Sequence, residues 1–221
     1  MKWHKLLLIV AALGLGACTT FTTYRGLPAN PVERSLTWFR YLAGDDIRQS
    51  CKAGSPDHYR FVYNGIYEVQ IRGYELTPVS DGAELTVRAR GASGLLNRFT
   101  IDNPFGPWEL IHSRAVLSNS QAAAIVDAYA DAVAASPPAA GQQLDSNEYY
   151  WIVAGCAAGT FALNVFVDPK VDVNALEFPQ RLLAHDGSGV PFREARFVEG
   201  FDNNVFTIRV NHTGDNLSGR I

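Results

Sequence analysis

The chain has no Cys-x-x-Cys pair, which removes support for a thiol redox centre or a zinc ribbon. It has no Gly-rich phosphate loop, no nucleophile elbow and no helical metalloprotease motif. It has no apolar run near the roughly 20 residues that a transmembrane helix needs. Basic residues are also short: 19 against 22 acidic, a net charge of −3. That balance argues against a nucleic-acid partner, which favours a basic face. Histidine is sparse and scattered, with positions 58, 112, 185 and 212 lacking any ligand spacing. No metal and no cofactor is expected from these patterns, and no catalytic residue is assigned.

What is present begins at the N-terminus. Lys2, His4 and Lys5 make a basic start, and Leu6 to Gly16 is apolar without a charge. Basic start, apolar run and small residues together form an export signal. The run ends in Leu15-Gly16-Ala17-Cys18, which resembles the lipobox of bacterial lipoproteins. The resemblance covers the first 18 residues only. It implies lipid (diacylglyceryl, then a further acyl chain such as palmitate) on Cys18 and cleavage just before it. The alternative is an ordinary secretory signal with a chance cysteine. Thr19, where an aspartate resembles an inner-membrane retention signal, implies outer-membrane sorting toward the periplasm. The partner implied is a membrane, held through the lipid on Cys18. Thr19 to Asn30 suits a tether.

Removal of the leader takes two of the 19 basic residues and none of the acidic ones, leaving a net charge of −5. Residues 31–221 read as a single α+β domain, with Ser136 to Gln143 as a possible internal linker. With Cys18 lipidated, Cys51 and Cys156 remain as an even pair in an oxidising compartment. The expectation is a disulfide closing a loop of 105 residues. The alternative is two buried free thiols.

Asn30-Pro31 starts a helix whose apolar spacing runs to Ala43, with Gly44 as its stop. Asp45 caps a second short turn. Tyr59 to Tyr63 and Ile66 to Leu76 flank Asn64-Gly65, which predicts a two-residue hairpin turn. Glu84 to Arg90 alternates as a third strand of a meander. Arg98 to Ile101 and Glu109 to Leu117 are further strand candidates. Ser118 with Gln121 forms a capping box for a helix through Val133. Tyr149 to Cys156 and Thr160 to Val167 are apolar enough to predict two central strands. Leu176 to Ala184 is a weak helix because of Pro179. Arg196 to Glu199 and Val205 to Val210 read as closing strands, with a frayed tail from Asn211. The fold class is α+β: an antiparallel sheet of meanders and hairpins with two main helices packed on it.

Candidate chemistry is thin. His185, Asp186 and Ser188 supply the residue types of a serine triad, but sequence neighbours seldom have triad geometry. Asp45-Asp46 could pair as acid and base, or simply cap a helix. Asp168, Asp172 and Asn174 offer oxygens without a calcium-loop pattern. The predicted two-residue turn would put Tyr59, Phe61 and Tyr63 on one surface with Glu68, Gln70 and Arg72. Aromatics beside hydrogen-bonding groups suit a ligand such as a sugar or peptide. The competing expectation is that a helix or second sheet covers the row. The function expected is a tethered domain that binds an envelope component or small ligand. The alternative is a hydrolase of envelope polymers.

Overall fold

The structure, a computed structural model, describes residues 38–91, 110–196 and 203–220. Two short helices come first, α1 (Phe39–Ala43) and α2 (Asp45–Ser50). Gly44 separates them at φ 64, donating its N–H to the Tyr41 carbonyl at 3.2 Å. A Cβ there would fall 2.4 Å from the Ala154 Cβ, so only glycine permits both the turn and the close approach.

The meander follows as β1 (His58–Gly65), β2 (Ile71–Val79) and β3 (Gly82–Arg90). After it come β4 (Ile111–Leu117), α3 (Asn119–Ala135), β5 (Gln143–Asp145), β6 (Tyr149–Ala157) and β7 (Thr160–Val167). The chain ends in α4 (Glu177–Leu183), β8 (Thr207–Val210) and β9 (Leu217–Arg220). A six-stranded antiparallel sheet has the order β4-β3-β2-β1-β6-β7, and β5-β8-β9 form a second, small sheet. The fold is α+β, as strands grouped in meanders with two separated helices predict.

Alternate residues of each strand serve different layers. On one face Phe61, Tyr74, Val87, Trp151 and Phe166 pack against Ile125 and Tyr129 of α3 and Phe178 and Leu182 of α4. On the other, Val62, Ile71, Ile152 and Val165 pack against Phe39, Leu42 and Ile47, against Phe206 just before β8, and against Ile208 of the small sheet. β1 and β6 therefore lie between two cores, which explains the near-continuous apolar run of β6. The similar run in β7 belongs instead to an edge strand.

Cys51, at the end of α2, is joined to Cys156 on β6, with Cα atoms 5.6 Å apart and a sequence separation of 105. The capping box is present: the Ser118 N–H donates to Gln121 Oε1 at 2.8 Å, and the Gln121 N–H donates to Ser118 Oγ at 3.3 Å. Pro179 sits in the first turn of α4, where its missing N–H has no helical partner to lose.

The first hairpin differs from expectation. Tyr63 pairs with Arg72 and Asn64 with Ile71, so the connection spans Ile66 to Gln70. Ile66 takes a positive φ of 65, and the Gly65 N–H donates to the Gln70 carbonyl at 2.9 Å. Asn64 is a strand residue: its buried amide donates to the carbonyls of Ser146 and Glu148 at 3.1 and 2.6 Å. The two-residue turn with positive φ at both positions lies at Ala158-Gly159 (φ 49 and 76). The tail also differs: Asn211 folds a turn by accepting from the N–H groups of Asp215 and Asn216, both at 3.1 Å, and β9 then pairs with β8. The predicted strand at 98–101 lies outside the described residues, and of 196–199 only Arg196, which is not in a strand, lies within them.

Candidate functional site

The six residues predicted to share a binding face are dispersed. The longer connection shifts the pairing by an even number, so Tyr59, Phe61 and Tyr63 still share a face with Arg72. That face is interior. Phe61 and Tyr63 are fully buried and Tyr59 is 7% exposed. Tyr129 of α3 meets Tyr59 and Phe61 edge-on at 6.1 and 5.7 Å, and Phe178 of α4 lies 5.6 Å from Phe61. Of the two expectations, the open aromatic row is corrected and the covered one is observed: β1 is central, and α3 and α4 lie over it. Glu68 stands exposed in the connection, where it accepts from Asn203 Nδ2 at 3.2 Å.

Gln70 and Arg72 have another role. Both are buried, and both hold the extended segment 188–196 against the sheet. Gln70 Nε2 donates to the Pro191 carbonyl and Gln70 Oε1 accepts from the Arg193 N–H, each at 2.8 Å. The Arg72 guanidinium donates to the Val190 carbonyl and to Asp186. The Tyr63 hydroxyl donates to the Arg193 carbonyl at 2.6 Å, and Tyr63 stacks 4.8 Å from Phe192. Asn174 completes the attachment, exchanging two hydrogen bonds with the Ala195 backbone at 2.9 and 2.8 Å. Gly91 lets the strap approach closely, since a Cβ there would meet Val190 Cγ1 at 2.6 Å.

Between the strap and the start of β2 lies a cleft of about 510 Å³. Val69, Ile111, Val190 and Phe192 supply its apolar wall. Gln70, Arg193, Glu194 and Arg196 supply its polar groups. Arg193 is oriented by donating from Nε to the Tyr149 hydroxyl at 3.0 Å. A concave apolar wall with a few placed polar groups is the usual form of a small-ligand site. Of the six predicted residues, only Gln70 lines it. The cleft was not legible because the strap has neither periodicity nor a motif. The one signal was Asp186-Gly187-Ser188-Gly189, readable as a turn.

The triad residue types do not form a triad. Asp186 accepts from Arg72, from the Tyr74 hydroxyl at 2.8 Å and from the Ser188 N–H at 2.8 Å. Burial pushes this carboxyl up, but the Ser188, Tyr74 and Arg72 contacts outweigh it and hold it below the usual range. Ser188 Oγ accepts from the Val190 N–H at 3.3 Å. These groups shape the strap. Asp172 is likewise a turn residue, accepting from the Asn174 N–H at 3.0 Å.

A second polar cluster, on the opposite face, had no sequence signal because its members come from distant segments. Arg60, 4% exposed, donates to both oxygens of Asp46 at 2.8 and 2.6 Å and to Glu75 at 2.5 Å. Its guanidinium lies 4.0 Å from the Tyr41 ring centre. His58 Nε2 donates to Glu75 Oε2 at 2.8 Å. Burial pushes Glu75 up, but His58 and Arg60 bring it below the usual range. Burial with the nearby Glu75 charge raises the Tyr41 hydroxyl to about 12. The cluster fastens α1 and α2 to the sheet. Asp45 and Asp46 are thus separate: Asp45 accepts from Arg40 at 3.2 Å, and Asp46 belongs to Arg60. Among the described residues, no three His, Cys, Asp or Glu side chains gather to hold a metal ion. No family model, curated protein or solved structure matches the chain.

Proposed function

We propose that this chain is a lipid-anchored bacterial envelope protein whose domain binds a small ligand or a short segment of an envelope component in the cleft beneath residues 189–196. The Cys51–Cys156 bond carries the first part of this reading. A disulfide closing so long a loop fits an oxidising compartment, and it leaves Cys18 as the third cysteine, directly behind an apolar leader. The lipobox resemblance supplies its modification, and Thr19 favours the outer membrane. Attachment through Cys18 is the route proposed, on the strength of the lipobox resemblance; among the described residues no helix is long and apolar enough to cross a membrane.

The binding role follows from how the cleft is built. Its strap is fixed by buried donors and acceptors on Gln70, Arg72 and Tyr63, so its shape exists before a ligand arrives. A preformed wall lowers the ordering cost of binding. The charged groups at the cleft, Arg193, Glu194 and Arg196, recognise a polar ligand with an apolar part to lie against Val190 and Phe192.

Two experiments test the two halves. Metabolic labelling with a fatty acid is expected to mark the wild type and not Cys18→Ser; equal labelling would end the anchored reading. For the cleft, a photo-crosslinker at position 194 is expected to capture an envelope component in cells, while one at exposed Asp131 on α3 is not. Identical adducts from both positions, or none from 194, would remove the cleft as the binding site.

A further inference from the structure

On the face bearing α1 and α2, the β2-β3-β4 half of the sheet presents an unusual surface. The large hydrophobic residues exposed among the described residues are Val79 (44%) and Val116 (74%), and both point to this face. So do Arg88, His112 and Arg114. Arg88 stands directly opposite His112, and Arg114 lies two residues further along β4. Cβ atoms of opposed residues are about 4.5–5.5 Å apart, so a protonated His112 would face Arg88 as a like charge. The chain gathers these cations despite its acidic total.

Local carboxylates do not account for the grouping. Arg88 pairs with Glu75 at 3.6 Å and bonds Tyr41, sharing that carboxylate with Arg60 and His58, which leaves Arg114 as the cation with no carboxylate of its own. Glu84, opposite Val116, accepts from Thr86 at 3.3 Å. No hydrogen bond or ion pair holds Arg114 or His112 among the described residues. His112 is held below its ordinary value, first by burial and then by the Arg88 and Arg114 charges, as a positive local field requires. Charge on an edge strand also discourages strand pairing, but Arg88 is on the interior strand β3 and gains nothing that way.

The described chain begins on the same face. Trp38 stacks on Tyr41 at 5.8 Å, and the Tyr41 hydroxyl reaches the backbone at Gly73, the partner of Arg88. A tether from Cys18 would therefore arrive beside the cations. At about 3.3 Å per residue, the 20 residue steps from Cys18 to Trp38 reach at most about 66 Å, so the tether alone would not orient the domain.

We propose that this half-sheet is a docking surface for an anionic phospholipid bilayer, with Arg88 and Arg114 over the headgroups and Val79 and Val116 at their margin. The choice of occupant rests on the lipid-anchored reading. Anchoring makes docking intramolecular, so a weak surface suffices. Each arginine near an anionic bilayer strengthens binding by about fivefold. The cleft, whose strap packs on the opposite face, is then turned away from the membrane.

The test uses the full lipidated chain in phosphatidylcholine vesicles with or without phosphatidylglycerol. A fluorophore is attached at position 116 (V116C) or, as control, at position 131 (D131C). In the anionic vesicles the label at 116 is expected to be shielded from acrylamide and that at 131 to remain open. Arg114, without partners among the described residues, permits R114Q to remove charge without disturbing the fold. R114Q should lower the docked-to-free ratio about fivefold. High salt should reopen the 116 label. Equal access at 116 and 131, or shielding that is the same without phosphatidylglycerol, overturns the docking surface. Flotation of the vesicles reads the anchor separately: a chain that does not float contradicts lipidation, whereas one that floats with both labels open contradicts only the docking.

Discussion

The guanidinium of Arg72 and the carboxylate of Asp186 meet in the interior, 114 residues apart in sequence, with side chains only 1% and 4% exposed. The pair ties the loop after α4 to the start of β2. Loss of one partner leaves a buried charge without compensation, which costs about 3–5 kcal/mol. Asp186→Ala is expected to lower the unfolding free energy by that amount in urea titration. A loss below about 1 kcal/mol would mean that the interior there admits water.

Acid should weaken the same contacts. Asp186, Glu75 and Asp46 all have carboxyls held below their ordinary values of 3.8, 4.5 and 3.8. A depressed folded value contributes stability that is fully present above the unfolded one and lost as pH falls through the folded one. Stability should hold above about pH 5 and decline below those ordinary values. Glu75→Gln is expected to flatten the decline in a pH series of thermal melts. An unchanged acid limb would assign it to other groups.

The disulfide should matter on the same scale as the strongest single contacts. In the chain-entropy treatment, a closed loop of about 100 residues restricts the unfolded chain by about 4.7 kcal/mol, with measured effects for native bonds of about 2–5. Reduction, or Cys51→Ser with Cys156→Ser, is expected to lower stability within that range, read by denaturation with and without reductant. Loss of α2 alone, with the melt unchanged, would show that the bond pins a local element only.

How far the sequence was legible depends on whether a residue's partners are near it. The Ser118–Gln121 box and the Gly44 stop are complete within a few residues, and both are in the structure. Cys51 and Cys156 were legible through compartment chemistry, although their contact is long-range. Asn64-Gly65 misled because the pair favours a turn locally, while the Asn64 amide has a better use bonding Ser146 and Glu148. The even shift that resulted preserved which residues share a face, but not which face is open. The cleft depends on Gln70 meeting Pro191 and Arg193, and no periodicity encodes a contact between a strand and an extended strap.

The buried aromatic row can be tested directly. An exposed binding face would tolerate truncation, whereas Phe61 is fully buried against Tyr129 and Phe178. Phe61→Ala is expected to cost about 3–5 kcal/mol. A stable, soluble variant with a near wild-type melt would restore the open-row reading.

Gln70→Leu probes whether the cleft's shape comes from the strap's anchors. Leucine keeps similar bulk but makes none of the bonds of Gln70: to the Pro191 carbonyl, to the Arg193 N–H, and to Arg72 Nε at 3.3 Å. Each buried group left unpaired costs about 1–3 kcal/mol. The strap can relieve part of this by lifting toward solvent, because Pro191 and Glu194 are already exposed. The Arg72 contacts to Asp186 and Val190 remain, so the sheet beneath should hold. The expected result is local: faster amide exchange at Arg193, unchanged exchange at Val153 and Val165 in the sheet, and a global loss of about 1–3 kcal/mol. Crosslinking from position 194 should fall in the same variant. Rapid exchange throughout β6 would instead make Gln70 a determinant of the whole core, and unchanged exchange at Arg193 would place the strap's rigidity in Tyr63 and Asn174.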